Sequence, residues 1–164
     1  MPNLFEPDWD GGQDRPGFTY RRAKLGAQAG AERLGASLYE LPPGETAFPY
    51  HWHSGNEELL IVVAGQPSLR TEEGWRELRE GEVVSFPRGG RGAHQVSNRS
   101  SETARILVVS EMNAPDVVAQ PDSGKFLAAT RPPGGVSREG DLFGAFRRSD
   151  EVDYWEGEEP PDPG

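Results

Sequence analysis

The chain has 164 residues, a formal net charge of −10 at pH 7, 21 glycines, 15 prolines and no cysteine. That length suits one compact domain, and without cysteine there are no disulfides or thiolate ligands, which leaves His, Asp, Glu and carbonyl oxygens for any metal. A surface this acidic repels phosphate backbones and anionic lipid, so neither nucleic acid nor a membrane is an expected partner.

The start, Met1-Pro2-Asn3-Leu4-Phe5, runs into Glu, Asp and Gly with no basic stretch before an apolar core, so no signal peptide is expected. The longest apolar run, Leu59 to Gly65, falls far short of the roughly 20 residues of a membrane helix, and a soluble, cytoplasmic protein is expected. Residues 1–30 read as an arm or edge segment, with one β-prone patch at Phe18-Thr19-Tyr20. A barrel core is predicted over 31–113. Its strands fall at Gly35 to Leu41, Ala47 to His53, Glu57 to Val63, Pro67 to Thr71, Trp75 to Arg79, Val83 to Phe86, His94 to Asn98 and Ala104 to Glu111. Turn residues such as Pro42-Pro43-Gly44, Ser54-Gly55-Asn56 and Glu80-Gly81 separate them. Closely spaced strands with no helical period between them predict an all-β, antiparallel jelly-roll barrel, and the lack of an internal repeat argues against a duplicated one. Residues 114–164 read as a C-terminal extension that wraps around the barrel. It has one strand at Lys125 to Thr130, a loop around Pro132-Pro133-Gly134-Gly135, and an acidic end from Ser149 to Asp162 anchored by Tyr154-Trp155.

The chemistry concentrates in two segments. Side chains alternate along a strand, so His51 and His53 project to one side and can grip one ion. Glu58, beyond a short turn, enters the neighbouring strand and reaches the same point if it faces inward. Glu57 would face the other way, and strand register decides between the two glutamates, with Glu58 favoured. His94 opens a further strand and completes the set. Three imidazoles and a carboxylate suit one divalent Mn, Fe, Co, Ni or Zn, and leave positions free for water, dioxygen or a substrate oxygen.

With these residues the sequence resembles the cupin superfamily. The family's first motif combines a Gly, a histidine pair one residue apart, a following Glu and a closing Gly, and is met by Gly44, His51, His53, Glu58 and Gly65. Gly44 sits slightly further upstream than in the commonest form. The second motif is met by Gly81, Pro87, Gly89, His94 and Asn98, with a longer loop between Gly89 and His94. The resemblance spans roughly Leu34 to Glu111 and is closest to small single-barrel members. It implies dioxygenase, isomerase, decarboxylase or lyase chemistry, among which fold alone does not choose.

All three histidines of the chain fall on motif positions. Asn98 is expected to be structural. Phe48, Leu60, Val62, Phe86 and Val96 are expected to shape a pocket beside the metal. Tyr50 and Trp52 should face away from the histidines, and with Leu59, Ile61 and Val63 they predict an apolar outer face and a homodimer. Arg88, Arg91 and Arg105 could meet an anionic substrate, but on so acidic a surface they read first as partners in exposed ion pairs. Glu45, Glu72 and Glu73 read as solvated turn residues. The functional expectation is a metal-dependent enzyme acting on a small sugar, keto acid or phenolic compound, and the alternative is a module that binds or senses such a ligand without converting it.

Overall fold

The computed structural model describes residues 1–132 and 139–161. The loop expected at Pro132-Pro133-Gly134-Gly135 lies outside them from Pro133 on, as does Asp162 of the acidic end. Thirteen strands carry the fold among the described residues: β1 (Gly11–Gln13), β2 (Tyr20–Ala23), β3 (Leu34–Leu41), β4 (Trp52–His53), β5 (Glu58–Ala64), β6 (Ser68–Thr71), β7 (Gly74–Glu77), β8 (Val83–Phe86), β9 (Gln95–Ser97), β10 (Ala104–Glu111), β11 (Asp116–Gln120), β12 (Lys125–Ala129) and β13 (Phe143–Arg147). One short helix, α1 (Leu25–Gln28), packs on β3. No helix among the described residues is long and apolar enough to cross a membrane.

Every strand pair is antiparallel, and the strands form a jelly-roll barrel. One wall is a six-stranded sheet in the order β1-β2-β3-β10-β5-β8, and the others are β13-β12-β11-β4 and β7-β6-β9. Alternation along β5 explains the core: Leu60 and Val62 are buried, whereas Leu59 on the other face is 36% exposed. Leu60 and Val62 pack with Leu41, Leu69, Leu78, Phe86, Val96 and Ile106 in one apolar cluster between the walls.

Both ends of the chain join the barrel. β2 pairs with β3 and sends the Tyr20 ring in against Tyr39 and Phe48, with centroids 5.4 Å from each. Glu45, expected to be a solvated turn residue, instead accepts the Thr19 backbone N–H at 2.7 Å and pins the arm. At the other end β11, which the polar character after Asn113 concealed, pairs with β4. Tyr154 and Trp155 do not anchor the tail: they are 83% and 70% exposed and their nearest aromatic contact is each other.

Asn98 is fully buried and works structurally, as expected. Its amide donates to the Leu41 and Glu102 carbonyls at 2.8 and 2.7 Å, while its oxygen accepts from the Ser100 hydroxyl at 2.8 Å. Asn98→Ala strands these groups and should destabilise the chain by about 2–4 kcal/mol. In a thermal melt that is a fall of roughly 5–15 °C for a protein of this size. An unchanged melting temperature would show that the bonds are dispensable.

Candidate metal centre

The strand expected from Ala47 to His53 breaks into a two-residue strand and two isolated bridges, Thr46↔Ser97 and His51↔His94. Pro49 lies between the bridges and has no N–H for a ladder. The bridge at His51 matters most, because the His51 and His94 backbones exchange hydrogen bonds of 3.0 and 2.9 Å and set the two side chains opposite each other. Their ring centroids lie 4.6 Å apart. The turn before His94 is tight: a Cβ on Gly92 would come within 1.8 Å of the Pro87 carbonyl oxygen, so a larger residue would push this loop, and His94 with it, off its path.

His51, His53 and Glu58 each offer a ligand atom, all within 4.8 Å of one another. His94 borders the group, its Nε2 lying 3.6 Å from Glu58 Oε2, and His53 Nε2 is 3.7 Å from the same oxygen. Register separates the glutamates. Glu58 pairs with Phe86 and Ser110 and turns inward, whereas Glu57 is exposed.

Each imidazole is held by its other nitrogen. His51 Nδ1 donates to the Pro49 carbonyl at 2.8 Å and His94 Nδ1 to the Gly92 carbonyl at 2.9 Å. A carbonyl oxygen can only accept, so each neutral ring carries its hydrogen on Nδ1 and leaves a lone pair on Nε2. His53 Nδ1 meets Asp116 Oδ2 at 2.6 Å. That carboxylate is buried and also takes the Asn56 amide and the Gly55 N–H at 2.9 and 2.8 Å. Asp116 opens β11, and the only local signal for that strand is the short apolar Val117-Val118-Ala119 run after Pro115.

Burial and the neighbouring His53 hold His51 down to about 4, and burial with the neighbouring His51 holds His94 down to about 3, so both rings are neutral at ordinary pH. Burial also depresses His53, but its bond to Asp116 and the Glu58 charge outweigh this and raise it overall. Burial works against the Asp116 charge, yet its bonds to His53, Asn56 and Gly55 carry it down to about 2. Glu58 is raised by burial, against the opposing pull of His53. His51 and His94 thus turn Nε2 lone pairs toward the group that holds the Glu58 carboxylate, an arrangement that a cation would stabilise. Donors about 2.0–2.2 Å from one ion lie roughly 3–3.5 Å apart; the distances of 3.6 and 3.7 Å to Glu58 approach this and His51, His53 and Glu58 stay within 4.8 Å of one another, so the group could hold a metal ion.

The donors open into a cavity of about 540 Å³. Phe48, Leu60 and Val96 line it as expected, with Tyr39, Ile106 and Val108. Val62 and Phe86 do not: both lie in the core cluster, and the Phe86 ring stacks on His94 at 3.7 Å, so its face is covered. Arg88 and Arg105 are engaged in ion pairs with Glu111 and Glu40. The cations at the cavity are instead Arg22 and Lys24, from the arm. Trp52 faces away, onto a second hollow beside β11–β13, and the buried Tyr50 ring carries the Arg70 guanidinium at 4.3 Å.

A histidine and carboxylate group that could hold a metal ion thus lines a cavity of an antiparallel β-barrel. Residues 37–110 match the family model of the cupin domain, so the chain contains a cupin domain over that stretch. Among solved structures, one from Acidithiobacillus ferrooxidans, named as a candidate sugar phosphate isomerase, is 27% identical, with 87% of this chain and 86% of that chain covered and a TM-score of 0.73. A sugar phosphate isomerase of the cupin superfamily from Silicibacter pomeroyi is 22% identical over 92% of this chain and 94% of that one, with a TM-score of 0.75, a likeness of fold. The search of curated proteins returned no match.

Proposed function

We propose that the protein is a metal-dependent cupin enzyme acting on a small oxygenated molecule, with His51, His53, Glu58 and His94 holding one divalent transition metal. One observation carries this reading: three imidazoles, each fixed through Nδ1, gather about a half-buried carboxylate on the wall of a cavity large enough for a small substrate. The bound metal would act as a Lewis acid toward a substrate oxygen. Phe48, Leu60, Val96 and Ile106 keep water from that oxygen, and the Asp116 hydrogen bond holds His53 in orientation. The name of the 27% identical relative puts sugar phosphates first among candidates, ahead of keto acids and phenols.

One feature favours a binding or sensing module instead. Outside the donor set the titratable groups on the cavity wall are Arg22, Lys24, Glu32 and Tyr39, and burial pushes the Tyr39 hydroxyl up to about 12, a poor proton acceptor. The readings separate in one experiment: strip the protein with chelator, restore Mn, Fe, Co, Ni or Zn singly, and screen the three compound classes for product. Turnover that disappears with chelator and returns with one metal is expected. Ligand-dependent thermal shifts with no product under any metal would establish the binding module.

A further inference from the structure

We propose that Arg22 and Lys24 form a subsite for a terminal phosphate ester, in the cavity that the donor group also lines. This builds on the small-substrate reading above and names the charged end of that substrate. The first observation is that Arg22, although its Nε is buried, lacks the close carboxylate that five other arginines have. Arg21, Arg70, Arg76, Arg88 and Arg105 each sit within 3.0 Å of a carboxylate oxygen. Arg22 does not: its Nε is buried without a hydrogen-bond partner, and its nearest carboxylate oxygen, Asp10 Oδ1, is 3.8 Å away. The other Asp10 oxygen is occupied by the Lys24 backbone N–H at 2.9 Å and the Gln28 amide at 3.0 Å. The Lys24 ammonium makes no ion pair among the described residues.

The second observation is placement. Alternation along β2 sends Tyr20 and Arg22 to the inner face and Arg21 outward, where it meets Glu40 and Trp9. Gly11 stands opposite Arg22 in the β1–β2 register, and a Cβ there would lie 2.5 Å from Nη2, so glycine leaves the guanidinium its room. Arg22 and Lys24 line the same cavity as His51, His53, Glu58 and His94, together with apolar residues such as Phe48, Leu60 and Val108. Glu32 also lines it, and a phosphate would have to outweigh that acid. An incompletely paired guanidinium and an ammonium without an ion pair, lining one cavity, offer three or more N–H donors. That matches the three terminal oxygens of a phosphate ester better than the two of a carboxylate.

Calorimetry on the zinc-loaded and the chelator-stripped protein tests this, with glycerol, ribose and fructose, their terminal phosphate esters, and gluconate as the carboxylate probe. At least one ester should bind about tenfold or more tighter than its parent. The preference should shrink to about twofold in Arg22→Gln and fall at least about threefold in Lys24→Gln, with metal stoichiometry unchanged. Should Arg22→Gln melt far below the parent protein, Lys24→Gln carries the test alone. Three results overturn the subsite: no ester preferred over its parent, a preference that survives both substitutions, or gluconate binding as tightly as the best ester. A preference kept in the stripped protein supports the subsite even where no metal gives turnover. Metal-dependent turnover without ester preference removes the subsite and leaves the enzyme reading standing.

Discussion

His53→Ala protein is expected to leave purification with only trace metal, while the parent chain carries close to a full complement. The ring at 53 is one of three groups whose ligand atoms lie within 4.8 Å of one another, and its loss leaves His51 and Glu58 of that group with His94 at its border. Losing an outer partner of a metal ligand commonly costs about 10–100-fold in affinity, so losing the ligand itself should exceed about a hundredfold. Elemental analysis and competition with a chromophoric chelator read the effect directly. The fold should survive, because His53 is not part of the apolar cluster that builds the core. An unchanged metal content in a folded His53→Ala chain would refute the assignment of ligands.

The second large effect is at Asp116. Removing this carboxylate strands the Asn56 amide and the Gly55 N–H and takes the acceptor from His53 Nδ1, all in a buried place. Asp116→Ala should therefore destabilise the chain by about 3–5 kcal/mol, the range seen when one partner of a buried charged pair is deleted. Asp116→Asn separates orientation from stability. An asparagine keeps one oxygen for the Gly55 N–H, and its amide can donate to His53 Nδ1, which forces the hydrogen of that ring onto Nε2, where a ligand needs a lone pair. The expected signature is a metal affinity down about 10–100-fold with a smaller loss of melting temperature than in Asp116→Ala. Equal metal affinity in Asp116→Asn and the parent would remove the orienting role.

Much of this could be read from local pattern. The apolar run after Glu58 shows a central strand by alternation alone, and it places Leu60 and Val62 inward, as they are. The donors could be found because the pairs that matter are close in the chain: His51 and His53 share a strand segment, and Glu58 follows one turn later. The features that escaped are those made by distant pairing. Asp116 sits in a stretch that looks like solvated tail, and it becomes a buried acceptor only because β11 lies against β4. Arg22 and Lys24 belong to a segment rich in Gly, Asp and Arg, whose strand β2 exists because β3 offers it an edge. Phe86 was expected at the pocket because it shares an inward face with the lining. What decides its place is the His94 ring stacked on it, a contact no single-strand pattern contains.

The hydrogen bond from His53 to Asp116 spans 63 positions of the chain, so one ring of the donor group depends on a segment made long after it. During synthesis the first two histidines and the glutamate emerge together, yet the ring at 53 is secured only when β11 docks, a late and entropically costly closure. Cutting the protein back to the span that matches its family, 37–110, would therefore keep the set of ligands and discard the clamp on one of them.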